Sequence, residues 1–154
     1  MSNVRVTFDL DTRPMRERVY ALEAQIEKLP QVHCPVRHHF APGIYAREMT
    51  IPAGVVATGA VHKTEHLTII SKGRLHITTD EGMCEFVAPA TFVSKAGTKR
   101  AAYAVEETVL TTIHATDGTD LDRLVEELTE STNTQLLGGR ENKQLLCGRL
   151  EEKP

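Results

Sequence analysis

Long apolar runs, paired cysteines and a marked excess of charge are all missing from this chain of 154 residues. No apolar stretch approaches the roughly 18 residues that suggest a membrane-crossing helix, so a membrane partner is not expected. The opening "MSNVRVTFDLDTRP" lacks the apolar centre of a secretory signal. Cys34, Cys84 and Cys147 are odd in number, far apart and without CxxC spacing. Neither a disulfide framework nor a cysteine zinc site is expected, and a reducing cytoplasm is the simpler setting. Lys and Arg total 18 against 21 Asp and Glu, a net charge of -3. Nothing global therefore points to a nucleic-acid polymer or an anionic membrane, and any anion site has to be local. Nucleophilic catalysis also lacks its signatures. Ser71 and Ser94 sit in no elbow motif, Cys84 has no activating neighbour, and no Gly-rich phosphate loop precedes a helix.

What is present suits one soluble domain with a real core: 40% hydrophobic and 25% charged residues. From Thr12 to Lys28, Met15, Val19, Leu22 and Ile26, continued by Leu29, step by four and three along one helical stripe. Thr12 is the expected cap, Pro14 suits the first turn and Pro30 follows the end. Between Pro42 and about His114 short β-rich runs recur: "GIYAREMTI", "GVVATGAV", "HLTIIS", "RLHITT", "CEFV", "ATFVS", "RAAYAV" and "TVLTTIH". Turn signals such as Pro42-Gly43, Lys72-Gly73 and Ala96-Gly97 separate them, which predicts an antiparallel sandwich or barrel. "HHFAPG" reads as a polar lead-in to a turn. A second helix is expected from about Thr119 to Glu130, striped by Leu121, Leu124, Val125 and Leu128, with Thr119 and Asp122 as its capping arrangement. The tail "STNTQLLGGRENKQLLCGRLEEKP" reads as a loose extension or an arm that docks on a neighbour.

The stretch "GAVHKTEHLTIISKG", Gly59 to Gly73, holds His62 and His66 four residues apart. Period-two alternation in a strand would put both on one face. The turn "KAGTKR" adds Lys95, Lys99 and Arg100, and Arg47 joins them if its parity faces inward. Arginine offers a planar fork for phosphate or carboxylate, and lysine adds a point charge. Tyr45 and Tyr103 would stack on a base or sugar, or fill core. The bland readings stand beside these: a solvated turn for "KAGTKR", and a histidine satisfied by Glu65 or a backbone carbonyl.

These runs and turns resemble the cupin superfamily, whose members are double-stranded β-helix, or jelly-roll, barrels. The family's first motif reads G, five residues, H-x-H, three or four residues, E, six residues, G. With its last glycine on Gly73, His66 stands at the glutamate position, His62 at the second histidine and Ala60 at the first. The second motif, P-x-G-x-x-H, matches "KAGTKR", with Lys95 for the proline, Gly97 retained and Arg100 for the histidine. The likeness covers residues 42 to 114, about half the chain. "HHFAPGIYAREMTIPAG", "HKTEHLTIISKGRL" and "TFVSKAGTKR" also resemble uncharacterised cupin-like proteins of tailed phages and prophages.

The resemblance implies a mainly-β jelly-roll barrel (42–116), preceded by a strand and helix extension (1–41) and followed by a helix and tail (117–154). It also implies an eroded metal site. A guanidinium has only N–H donors and repels a cation, and two imidazoles hold a divalent ion weakly. The leading expectation is a non-enzymatic protein whose remodelled site, His62, His66, Arg100, Lys99, Lys95, Tyr103 and Arg47, binds a nucleotide, sugar phosphate or carboxylate. In a phage, it would sequester a host nucleotide signal in the host cytoplasm. No cofactor is expected. The alternatives are a divalent-metal isomerase, epimerase or dioxygenase on His62 and His66, helped by Glu65, His38, His39, His76 or His114, and a metal-free enzyme with a histidine base and Tyr103 as acid. A structural phage or assembly protein is the third. A homodimer or higher homo-oligomer is expected under each.

Overall fold

A computed structural model describes residues 12–131 and the strand 147–149. Expectations for residues 1–11, 132–146 and 150–154 lie outside the described residues. Helix α1 (Met15–Ile26) comes first, and nine strands follow. They are β1 (Val36–Ala41), β2 (Ile44–Ile51), β3 (Val55–Thr58), β4 (His66–Lys72), β5 (Arg74–Thr79), β6 (Gly82–Val87), β7 (Ala90–Ser94), β8 (Ala101–Ala104) and β9 (Thr108–Ala115). Helix α2 (Leu121–Leu128) and the short strand β10 (Cys147–Arg149) complete the described elements.

The strands form two five-stranded sheets, ordered β1-β2-β9-β4-β7 and β10-β3-β8-β5-β6, with antiparallel pairing throughout. Without the outermost β1 and β10, the order is 2-9-4-7 in one sheet and 3-8-5-6 in the other. That is the order of a jelly roll, two Greek keys wound together. The fold is mainly β with a helix on either flank, as the turn spacing predicts.

Each predicted run becomes a strand, and "RLHITT" and "ATFVS" match β5 and β7 residue for residue. The turn lead-in "HHFAPG" differs: His38 to Ala41 are strand, paired with Tyr45 to Arg47 and Ile44 of β2. The helix caps also differ. Pro14, not Thr12, occupies the N-cap of α1 and makes no side-chain cap hydrogen bond. At α2 the cap is Asp120 rather than Thr119. Its carboxylate accepts from the Asp122 amide at 3.0 Å, satisfying one of the free N–H groups of the first turn.

Alternation along the strands sends the larger apolar side chains between the sheets. One cluster joins Cys34, Met49, Ile51, Val55, Ala57 and Ala104. A second joins Ile70, Leu75 and Ile77, with Phe86, Phe92 and Leu110 packed against it. Helix α2 brings Leu124 and Leu128 onto Tyr45. Backbone bonds tie its end to the barrel, Lys63 N to Leu128 O at 2.8 Å and Glu130 N to Val61 O at 2.9 Å. On α1, Val19 and Ile26 are buried, the centre of the predicted stripe.

Gly73 sits where β4 turns into β5, with φ +90°. A Cβ there would collide with Glu107 O and lie 2.8 Å from Thr108 Cα. Gly82 has a similar backbone, φ +120°, but an added Cβ meets nothing within 4 Å. Gly73→Ala should therefore cost on the order of 3 kcal/mol in urea unfolding, and Gly82→Ala only about 1 kcal/mol, from backbone strain alone. Equal losses would contradict this assignment.

Candidate functional site

Between the apolar core and α2 the barrel keeps a cavity of about 170 Å³. Strand parity decides what lines it. Tyr45, Arg47, Met49 and Ile51 alternate inward along β2, and Leu110, Thr112 and His114 do so along β9. His66 and Thr68 come from β4, Phe92 and Ser94 from β7. His62 enters from the bend between β3 and β4, where it bridges to Thr129 beyond α2. Leu121, Leu124, Val125 and Leu128 of α2 form the roof.

His62, His66 and His114 form one cluster. Their ring centroids are 4.2 Å apart for His62 and His66, 4.7 Å for His66 and His114, and 5.1 Å for His62 and His114. One nitrogen of His66 contacts Thr64 O at 3.2 Å, and His114 Nε2 pairs with Thr112 Oγ1 at 2.9 Å. Burial opposes the charged form of all three. It holds His62 well below its usual range, with the other two histidines and then Arg47 and Arg100 adding repulsion. Burial, then Arg100, lowers His66 against the pull of the Thr64 carbonyl. His114 falls to about 4 through burial, His66 and Arg47. At neutral pH the cluster is therefore uncharged, and each ring offers one N–H and one lone pair.

Arg100 reaches the same space from the loop before β8. It donates to Ser94 Oγ at 3.1 Å, and its guanidinium carbon lies 5.3 Å from the Phe92 ring centre. It forms no ion pair among the described residues, and its Nε, like His114 Nδ1, has no hydrogen-bond partner among them. Burial lowers its pKa, countered by the charge of Asp80. Arg47 and Lys95 also line the cavity. No Asp or Glu side chain does so among the described residues.

Five of the seven expected ligand residues thus meet: His62, His66, Arg100, Lys95 and Arg47. Lys99 and Tyr103 do not. Lys99 is buried under α1, where it donates to Glu23 Oε2 at 2.5 Å and Gly59 O at 2.7 Å and lies 4.8 Å from the Tyr20 ring centre. It anchors the helix. Tyr103 alternates with the inward Ala102 and Ala104, so it stands on the outer face near His76, at 6.4 Å between ring centres. Of the further histidines weighed from sequence, only His114 converges. His38 bonds the Tyr45 hydroxyl at 2.7 Å, His39 pairs with Glu48 and His76 with Glu85, and Glu65 is exposed. The alternation of Leu110, Thr112 and His114 was the available signal for His114.

The three imidazoles are not arranged around one point as metal ligands. No group of three His, Cys, Asp or Glu side chains is placed to hold a metal among the described residues. Two guanidiniums act on His62 from the same cavity.

No protein-family model and no curated protein matches the chain. Solved structures similar in fold include a cupin superfamily protein from Desulfitobacterium hafniense DCB-2, at 16% identity over 70% of this chain and 94% of that one, TM-score 0.48. A cupin-2 domain containing protein from Shewanella frigidimarina is also 16% identical, over 62% and 92%, TM-score 0.46. An HTH_3 family transcriptional regulator from Vibrio cholerae is 17% identical over 53% of this chain, which spans about half (49%) of its length, TM-score 0.46. The strand order itself carries the fold assignment. No helix among the described residues is long and apolar enough to cross a membrane.

Two outcomes follow from these contacts. His114 takes up a proton in the unfolded chain near its ordinary 6.5 but in the fold only near 4, so the unfolded state binds more protons across that window. Stability is then lost as pH falls from about 6.5 to 4, by on the order of 3 kcal/mol for this residue, at about 1.4 kcal/mol per unit. Melting temperatures across that range should fall more steeply in the parent than in His114→Gln; identical slopes would contradict the assignment. Glu23→Ala strands the Lys99 ammonium and should cost about 3–5 kcal/mol in urea unfolding, much of it recovered in Glu23→Ala/Lys99→Met. A single variant with no loss would show the pair to be incidental.

Proposed function

We propose that the protein is a non-enzymatic binding protein that holds a small anionic molecule inside its barrel. One observation carries this reading: a cavity lined by Arg47, Lys95 and Arg100 with no carboxylate among the described lining residues, in a chain of net charge -3. A buried cation is ordinarily paired, because removing it from water costs several kcal/mol. Arg100 is half-buried, with only the more distant charge of Asp80 to support it, and a guest would add negative charge beside it. The Arg100 fork suits a planar oxyanion, and the neutral imidazoles of His62, His66 and His114 add donors without adding charge. Capture needs no covalent step, and no nucleophile or resident metal is called upon.

A narrower form of the reading follows the likeness to phage proteins, in which a chain of this kind sequesters a host nucleotide signal. Calorimetric titration of the full chain with small carboxylates, inorganic phosphate, a phosphosugar and AMP tests both forms. At least one anion should bind in the micromolar range and raise the melting temperature, and Arg100→Met should weaken it at least tenfold. Heatless titrations with every anion would overturn the proposal. So would stoichiometric iron, zinc, nickel or manganese in protein purified without chelator and lost on His62→Ala, which would favour a metal-dependent enzyme.

A further inference from the structure

Size, wall chemistry and charge density together narrow the guest. The inference rests on the anion-binding reading above and goes one step beyond it. We infer that the cavity is built for a compact monocarboxylate with an apolar body, its carboxylate against Arg100 and its body against Phe92, Leu110 and Ile77.

Volume is the first constraint. About 170 Å³ slightly exceeds the roughly 150 Å³ of an apolar cavity that takes up benzene, and lies below the roughly 300–1,000 Å³ of pockets that enclose drug-sized ligands. With α2 in place, this volume matches a ring or short branched chain, and a larger guest would have to extend out of it.

The wall is the second constraint. Six hydroxyl groups of the lining, those of Tyr45, Thr58, Thr68, Ser94, Thr112 and Thr129, are already engaged with the protein. Thr58 donates to Glu23 at 2.6 Å, Thr68 and Ser94 bond each other at 2.7 Å, and Thr112 pairs with His114 at 2.9 Å. Thr129 donates to Val125 O at 2.6 Å, and the Tyr45 hydroxyl is bonded to His38. A sugar would bring several hydroxyls against lining hydroxyls that already have partners, with chiefly the three imidazoles and Arg100 left to replace their water. An apolar body loses nothing. It meets Phe92, itself 4.7 Å from Phe86 between ring centres, together with Leu110, Ile77 and the leucines of α2.

Charge density is the third. The cost of taking an ion out of water grows with the square of its charge, so a dianion pays about four times what a monoanion pays in the same apolar surroundings. A phosphate monoester carries about −1.5 to −2 at neutral pH and seeks several N–H donors around its oxygens. A carboxylate carries one charge in a plane, which the guanidinium fork beside Phe92 matches.

The test uses the full chain at low ionic strength and five probes: benzoate, cyclohexanecarboxylate, benzamide, inorganic phosphate and glucose 6-phosphate. Calorimetry should give both carboxylates at least tenfold tighter binding than either phosphate compound, and benzoate at least tenfold tighter than neutral benzamide. Arg100→Lys keeps the charge but removes the fork, and should weaken benzoate about tenfold. Should Arg100→Lys fail to fold, Phe92→Leu serves instead, and benzoate should lose more affinity there than cyclohexanecarboxylate. Tighter binding of phosphate or glucose 6-phosphate than of benzoate would overturn this inference and leave the anion reading standing. Equal binding of benzamide and benzoate, or no binding of any anion, would sink both.

Discussion

A half-buried guanidinium at a cavity whose described lining contains no carboxylate is the constraint on which the rest of this structure turns. Arg100 has Ser94 Oγ and the face of Phe92 as its neighbours, and burial works against its charge. Taking such a group out of water is costly, and the charge of Asp80 offsets part of that cost. The three imidazoles beside it respond in the only direction open to them. Close packing and two nearby guanidiniums keep them neutral, so the cavity gathers donors without accumulating further charge. In a barrel built around a divalent ion these positions would carry lone pairs aimed at one point and a carboxylate to balance it.

The jelly roll explains why this arrangement holds together. Side chains from β2, β4, β7 and β9 alternate inward from one sheet, and the register between those strands fixes their spacing. Apolar clusters fill the remainder of the interior. The helices then close what the strands leave open. Helix α1 is anchored by Glu23, which accepts from both Thr58 and Lys99. Helix α2 lays its leucines over the mouth and is tied by two backbone bonds at its end. Polar contacts therefore position the helices, and apolar ones define the volume that a guest can fill.

Much of this was legible in the amino-acid order, and the parts that were not share a cause. Turn residues at Lys72-Gly73 and Ala96-Gly97 mark strand ends because few other residues adopt the backbone needed there; Gly73 has φ +90° and Gly97 +81°. Parity along a regular strand brings Arg47 inward with Tyr45 and Met49, as alternation predicts. Parity fails as a guide where the chain is irregular. Lys99 and Arg100 are neighbours in a loop, and only the docking of α1, an element far away in sequence, decides that Lys99 serves Glu23 while Arg100 faces the cavity. The chemistry of Tyr103 suits a stacking role, but its position on β8 turns it away from the cavity. His114 was one of several histidines open to recruitment, and only the pairing of β9 between β2 and β4 singles it out. The caps at Pro14 and Asp120 differ by one or two residues from the expected ones because neighbouring polar residues compete for the same few amide groups.

The most direct test of the proposal that the cavity takes an anion rather than a divalent cation is a crystal of protein purified without chelator and soaked in bromide, with anomalous scattering recorded at the bromine edge and across the edges of iron, nickel and zinc. The account predicts a bromide within about 3.5 Å of the Arg100 guanidinium nitrogens, inside the barrel. A transition metal centred among His62, His66 and His114, with no bromide near Arg100, would contradict it.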